Sequence, residues 1–245
     1  MKKLLGLCAF ALTFSMVACG STGGGGGGDN GGGCNGGGCN GGGCNGGGSS
    51  KMDGSQSTID MYVNGTMKAP HTVMVHADPK AGQYWEHSMD TAGTKMTMRW
   101  QVAKVDGTTA VIEYQSKMDS QYMVSDYVVA YQVDLSVKMG DAANVTKAWV
   151  AKPGEAGKEI QITPFEKVAG GTEGEKPKEE AFTDLEMAGK KFSGKIYIMT
   201  VAGTESKSWM ADNGYFGGLL KTESGGTVGM SLSACGEDAT ALLKW

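Results

Sequence analysis

The sequence predicts an all-β protein: an antiparallel, strongly curved sheet, half-barrel or barrel-like, behind a disordered glycine-rich N-terminal tether and ending in a short C-terminal helix. Three observations carry that expectation. Apolar and polar residues alternate with a period of two through most of residues 51–245, the pattern of strands with one covered face. Turn pairs such as Asn64-Gly65, Asp106-Gly107 and Gly225-Gly226 separate the alternating runs, as hairpins require. One alternating run, 127–137, is long enough to belong to a strand of a strongly curved sheet.

Residues 1–18 read as an export signal. Lys2 and Lys3 precede an apolar run, 4–18, broken by Gly6, Thr13 and Ser15. The run is too short to cross about 30 Å of hydrocarbon as a helix, and it suits the h-region of a secretory signal. Met16-Val17-Ala18-Cys19, followed by Gly20, resembles the lipobox of bacterial lipoprotein signals, with Met16 where leucine is more common. The resemblance implies diacylglyceryl transfer to the Cys19 thiol, cleavage before it and acylation of the new amino terminus. The competing reading is a signal peptide cut elsewhere, with Cys19 incidental. One acyl chain holds a membrane marginally, at about 0.8 kcal/mol per buried methylene, whereas two or more hydrophobic signals hold it stably. Gly20 stands where the family's inner-membrane retention signal has aspartate, so the resemblance implies an outer-membrane address in the cell envelope.

Residues 19–50 form the predicted tether. Nineteen of residues 20–50 are glycine, and such a segment buries too little surface to offset its ordering entropy. As a flexible coil it spans roughly 30 Å. Cys-Asn-Gly-Gly-Gly occurs three times, placing Cys34, Cys39 and Cys44 five residues apart. Three readings are open: a spacer repeat without chemistry, disulfides within or between copies or to Cys235, and a metal site. The first is preferred, because zinc favours tighter pairs on a fixed frame, while an exported compartment permits disulfides.

Residues 51–245 make one domain, long enough for a substantial core. The formal net charge of −4 has its signs interspersed, with no basic stripe to suit nucleic acid. No second apolar run is long enough to span a membrane. Of 16 methionines, Met1 and Met16 precede this region, leaving fourteen against seven leucines. Methionine either replaces leucine in the core or lines an adaptable apolar surface, and the first reading is preferred.

Met61 and Val63 alternate with Asp60 and Tyr62 as a first strand ending at Asn64-Gly65. Short extended pieces follow at 73–76 and 83–89. In 95–102, Met96, Met98, Trp100 and Val102 face one way, with Lys95, Thr97, Arg99 and Gln101 opposite. Asp106-Gly107 suits a type I′ hairpin into 109–115, where Ala110, Ile112 and Tyr114 share a face. Val129, Tyr131, Val133, Leu135 and Val137 then face away from Gln132 and Asp134. Runs 145–151 and 158–163 flank the turn Pro153-Gly154. Residues 166–182 are charged and glycine-bearing, the composition of a solvated loop. Runs 192–201, 206–211, 219–223 and 228–232 complete the sheet, the first apolar on both faces and so expected to be central. Only Asp238 to Trp245 reads as a helix, with Ala239, Leu242 and Leu243 at helical spacing.

A long-stranded antiparallel sheet on a lipobox chain resembles the LolA-like group of periplasmic lipoprotein carriers and lipid-binding lipoproteins. The tail shares in this, through Gly189-Lys190-Lys191-Phe192, Lys207-Ser208-Trp209 and 217–223. The sequence departs from that group in showing no helices to plug the sheet's apolar face. The resemblance implies a half-open barrel that receives a lipid or another hydrophobic ligand. Met96, Met98, Trp100, Tyr127 and Tyr131 are the candidate ligand face.

No enzyme is expected. Gly-x-Ser-x-Gly is missing, and Glu179-Glu180 sits in the charged loop, where burial cannot tune it. Trp85, Trp100, Trp149 and Trp209 suit core better than a cavity lining. Met74 and His76 share a face and His71 takes the other, a His/Met pair too small to assign as a copper site. No metal or cofactor is therefore assigned. The expected function is a membrane-anchored binding module for a hydrophobic ligand. The alternative is a structural envelope lipoprotein cross-linked through the tether cysteines.

Overall fold

A computed structural model describes residues 51–137, 142–166 and 176–245. The signal, the tether with Cys19, Cys34, Cys39 and Cys44, and much of the predicted charged loop lie outside the described residues. The described elements are β1 (Met52–Asp53), α1 (Ser55–Val63), β2 (Tyr84–Thr91), β3 (Thr94–Asp106), β4 (Thr109–Asp119), β5 (Met123–Asp134), β6 (Val145–Ala151), β7 (Lys158–Glu159), β8 (Lys178–Met187), β9 (Lys190–Val201), β10 (Thr204–Ala211), β11 (Leu219–Ser224) and β12 (Thr227–Gly236).

The strands form one sheet in the order β7-β6-β5-β4-β3-β2-β12-β11-β10-β9-β8, with β1 added beside β5. Every pairing is antiparallel except β1 with β5. The protein is thus mostly antiparallel β, as the alternation predicts. The sheet is not closed: β7 and β8 are its two edges. The non-sequential pairing of β2 with β12 joins the early strands to the late ones.

Two-residue turns set the register. Ala92-Gly93, Ala188-Gly189, Ala202-Gly203 and Gly225-Gly226 all have positive φ at both positions, as type I′ turns demand. The β3–β4 turn differs from expectation. Its central residues are Gly107 and Thr108, between the paired Asp106 and Thr109. Only Gly107 has positive φ, 59°, which is the type II′ requirement of glycine at the first central position rather than type I′.

The first predicted strand is a helix. Residues 60–63 fit either period, but Ser55 and Ile59 are buried four residues apart, and Tyr62 packs on the same core. That is helical spacing. Contacts at its start fix the entry: Ser55 N–H donates to Asp53 Oδ1 at 2.9 Å, and Asp126 N–H donates to Ser55 Oγ at 2.8 Å. Asn64-Gly65 ends a helix here, with Gly65 at φ 80°. The helix packs on the face carrying Tyr127, Val129 and Tyr131.

The predicted C-terminal helix does not form. Residues 239–245 run extended across the opposite face of β3–β6, where Leu243 and Leu242 pack on Val111, Val128, Ala130 and Ala151. The reason is Glu113, which is fully buried. Its carboxylate accepts from Leu242 N–H at 2.8 Å, Leu243 N–H at 2.9 Å, Gln101 Nε2 at 2.7 Å and Trp245 Nε1 at 3.1 Å. Those amides are thereby withdrawn from i−4 helical bonding, and Lys244 N–H goes to the Glu155 carbonyl. A buried carboxyl group with several donors outweighs the weak propensity of an eight-residue helix.

Two smaller departures concern the late chain. The second part of the predicted loop, from Lys178 onward, is the edge strand β8; its side chains are mostly exposed, and charges on an edge discourage further pairing. β9 is expected in the middle of the sheet but stands second from the edge. Residues 73–76 are extended without pairing as a strand, and 158–163 shortens to β7 plus an Ala69–Ile162 bridge.

Candidate functional site

Alternation gives β2–β5 a front face, toward α1, and a back face, toward the C-terminal segment. The front face carries the five predicted ligand residues on neighbouring strands. Register places Trp100 beside Trp85 and Tyr114, Met98 beside His87 and Ser116, and Met96 beside Met89 and Met118. Tyr127 pairs with Ser116, and Tyr131 with Ile112. Tyr131 and Met98 are buried, whereas Met96, Trp100 and Tyr127 keep part of their surface in solvent. The strip is thus core at one end and a partly open surface at the other.

The aromatic groups are in contact. Trp100 stacks on Tyr131 with centroids 6.0 Å apart, and meets Tyr114 at 4.7 Å and Phe216 at 6.1 Å. Across the strip, Tyr62 of α1 lies 6.4 Å from Tyr127. Pairs at such distances contribute about 0.5–1.5 kcal/mol beyond area burial. Burial raises the phenol of Tyr62 to about 12, with the Tyr127 charge adding to it. Burial likewise raises Tyr114, Tyr127 and Tyr131, and neighbouring phenols add to the rise at Tyr114 and Tyr131. At neutral pH the strip is therefore uncharged and apolar, with hydroxyl groups among its rings.

The other predicted residues do not assemble into a site. His71 packs edge-on against Phe165 at 5.2 Å. His76 bonds Gln83 Oε1 through Nε2 at 2.7 Å and lies against Tyr215 at 4.5 Å, so the His/Met pair of 71–76 serves packing. Burial lowers His76 and also His87 below the ordinary histidine range, leaving both rings neutral at pH 7. The four tryptophans do not share one surface: Trp85 and Trp100 are on the front, Trp149 packs with the back-face cluster, and Trp209 lies under Lys221 at 3.9 Å. Cys235 is half-buried and has no disulfide partner among the described residues, and burial raises its thiol, the opposite of an activated nucleophile. Glu179 and Glu180 make exposed ion pairs with Lys195 and Lys178, each at 2.7 Å. Among the described residues, no three His, Cys, Asp or Glu side chains gather as a metal site.

A groove of about 670 Å3 is lined by Asp53, Lys95, Lys117, Asp126 and Lys152, among others. Its charges largely satisfy one another: Lys152 with Asp53 at 2.6 Å, Lys117 with Asp126 at 3.8 Å, and Lys51 with Asp119. Solvated, paired ions of this kind contribute little and select little. The aromatic strip is the better candidate because it exposes apolar surface.

Alternation on single strands found Met96, Met98, Trp100, Tyr127 and Tyr131, but not Tyr62, Phe216, Met89 or Met118. The two methionines were within reach, because the 91–94 turn fixes Met89 opposite Met96. Tyr62 and Phe216 arrive from a helix and a loop, which carry no register. No protein-family model and no curated protein sequence matches the chain. Among the described residues, no helix is long and apolar enough to cross a membrane.

Proposed function

We propose that the protein is an exported lipoprotein, anchored to the outer membrane through Cys19, whose β-domain binds an acyl chain or similar apolar ligand on its front face. In this reading the sheet curves around the ligand as a half-barrel, and the protein binds rather than catalyses. The supporting observation is the half-buried strip of Met96, Trp100, Tyr114 and Tyr127 beside Tyr62. Exposed aromatic and apolar surface of this kind suits a ligand with a long apolar body. The lipobox resemblance supplies the address, and the glycine tether supplies some tens of ångströms of reach.

Both halves are testable. Cys19→Ala is expected to release the protein from membranes and remove the acyl mass; a variant still bound, with unchanged mass, contradicts the anchor. For the ligand, Trp100→Leu with Tyr127→Leu is expected to weaken fatty-acid binding by at least tenfold in a fluorescence titration. Equal affinity in wild type and variant contradicts the assignment of the strip.

A further inference from the structure

At the open end of the aromatic strip, the register brings together a set of soft side chains, of which Met96 and Met98 also belong to the proposed apolar face. On the front face, His87 stands directly opposite Met98 and Met89 directly opposite Met96. The four side chains occupy the corners of a rectangle of roughly 5 Å across the strands by 7 Å along them. Met118 continues the row beyond Met96. On the other side Ser231 pairs with Ser88, and continuing that register by one residue sets Met230 opposite Met89. Four methionines thus adjoin laterally on four consecutive strands, with Met98 one step along β3.

From this geometry we infer that His87, Met89, Met96 and Met98 form a binding site for a soft monovalent cation, Cu(I), with Met118 and Met230 as flanking thioethers. Thioethers select Cu(I) over hard cations, and imidazole completes such a set. Methionine has three rotatable bonds between Cα and its terminal methyl, so sulfurs anchored about 5 Å apart can close on one ion. The histidine is already oriented. Its Nε2 lies 2.8 Å from the Leu219 carbonyl oxygen, which can only accept, so Nε2 carries the proton and Nδ1 the lone pair. A ligating histidine is ordinarily held in this way, by its second nitrogen donating to a fixed acceptor. His87 is also 6 % exposed and Met98 8 %, while Met89, Met96, Met118 and Met230 are half-buried, giving a sheltered inner pair and an approach from solvent. Glu86, Asp90 and Lys95 alternate to the back face, so no carboxylate competes for a hard ion on this side. The inference rests on register and side-chain chemistry, not on the apolar-ligand reading, and it involves no electron transfer.

The test uses the mature chain with Cys34, Cys39 and Cys44 replaced by serine, so that tether thiols do not compete. Methionine methyl groups are labelled with carbon-13, and Ag(I) serves as a redox-inert probe, followed by Cu(I) with a chromophoric chelator as competitor under nitrogen. One equivalent of Ag(I) is expected to shift the methyl signals of Met89, Met96 and Met98 and to leave the exposed Met52 and Met199 in place. The volume-conserving pair Met89→Leu and Met96→Leu is expected to keep the thermal midpoint and lose at least tenfold in Cu(I) affinity. No shift at these methyls, shifts confined to other methionines, or a folded double variant with wild-type Cu(I) affinity overturns the proposal. The Trp100→Leu and Tyr127→Leu variant, which leaves His87 and the methionines in place, is expected to keep wild-type Cu(I) affinity, which separates this site's failure from failure of the apolar-ligand reading.

Discussion

Glu113→Ala is expected to destabilise the domain by at least about 2 kcal/mol. The substitution strands the Leu242 and Leu243 amides, while the Gln101 amide keeps the Thr240 carbonyl and the exposed Trp245 indole can turn to water. Each buried donor so stranded costs roughly 1–3 kcal/mol, against a total stability of about 5–15 kcal/mol for a typical domain. The loss is not confined to β4, because the C-terminal segment also closes the back-face cluster of Val111, Val128 and Ala130. Urea unfolding measures it. Deleting residues 239–245 is expected to cost a comparable amount, and combining deletion with Glu113→Ala should cost far less than the sum, since both remove one interaction. Additive costs would mean that the carboxylate and the tail stabilise the sheet independently.

Alkaline pH is expected to unfold the protein well before its lysines are fully neutral. Tyr62 is held at about 12, and Tyr114, Tyr127 and Tyr131 are raised as well, while an unfolded tyrosine ionises near 10. Above pH 10 the unfolded chain therefore binds fewer protons than the folded one, and stability falls as pH rises. Each such phenol removes about 1.4 kcal/mol per pH unit until its folded value is reached. Several phenols acting together should bring unfolding between pH 10 and 12. Absorbance at 295 nm should show these phenolates appearing only with the loss of circular dichroism. Tyr114→Phe with Tyr127→Phe should make the stability curve shallower above pH 10. Phenolates that appear while the sheet persists would contradict the buried cluster.

The fold was legible where one local rule sufficed. Alternation located most strands, and 145–151 coincides with β6, because its neighbours on both sides are strands of the same sheet. Alternation also sorted the faces correctly for Trp100, Tyr114 and Tyr131. It failed where a partner distant in sequence decided. Residues 60–63 carry too short a pattern to separate periods of 2 and 3.6, and burial of Ile59 against β5 and β6 made them helical. Residues 239–245 have helical spacing, yet a carboxylate more than a hundred residues earlier captures their amides. Glu113 itself looks like an ordinary outward-facing charge on its strand, since nothing local marks the back face as covered.

The candidate site divides the same way. Five of its residues came from alternation, while Tyr62 and Phe216 required the tertiary packing of α1 and the 215–217 loop. The methionine row required register across four strands. Single-strand reading reports a face but not its neighbours, so the likeness of Met89, Met96, Met118 and Met230 to a ligand set emerges only once the turns are placed.

Native mass spectrometry of the mature, unacylated chain shows whether the front-face strip holds an apolar ligand. A discrete adduct of lipid mass is expected, either carried from the exporting cells or acquired on adding fatty acid, and lost in the Trp100→Leu and Tyr127→Leu double variant. A bare mass that stays bare as fatty acids and phospholipids are added would contradict it.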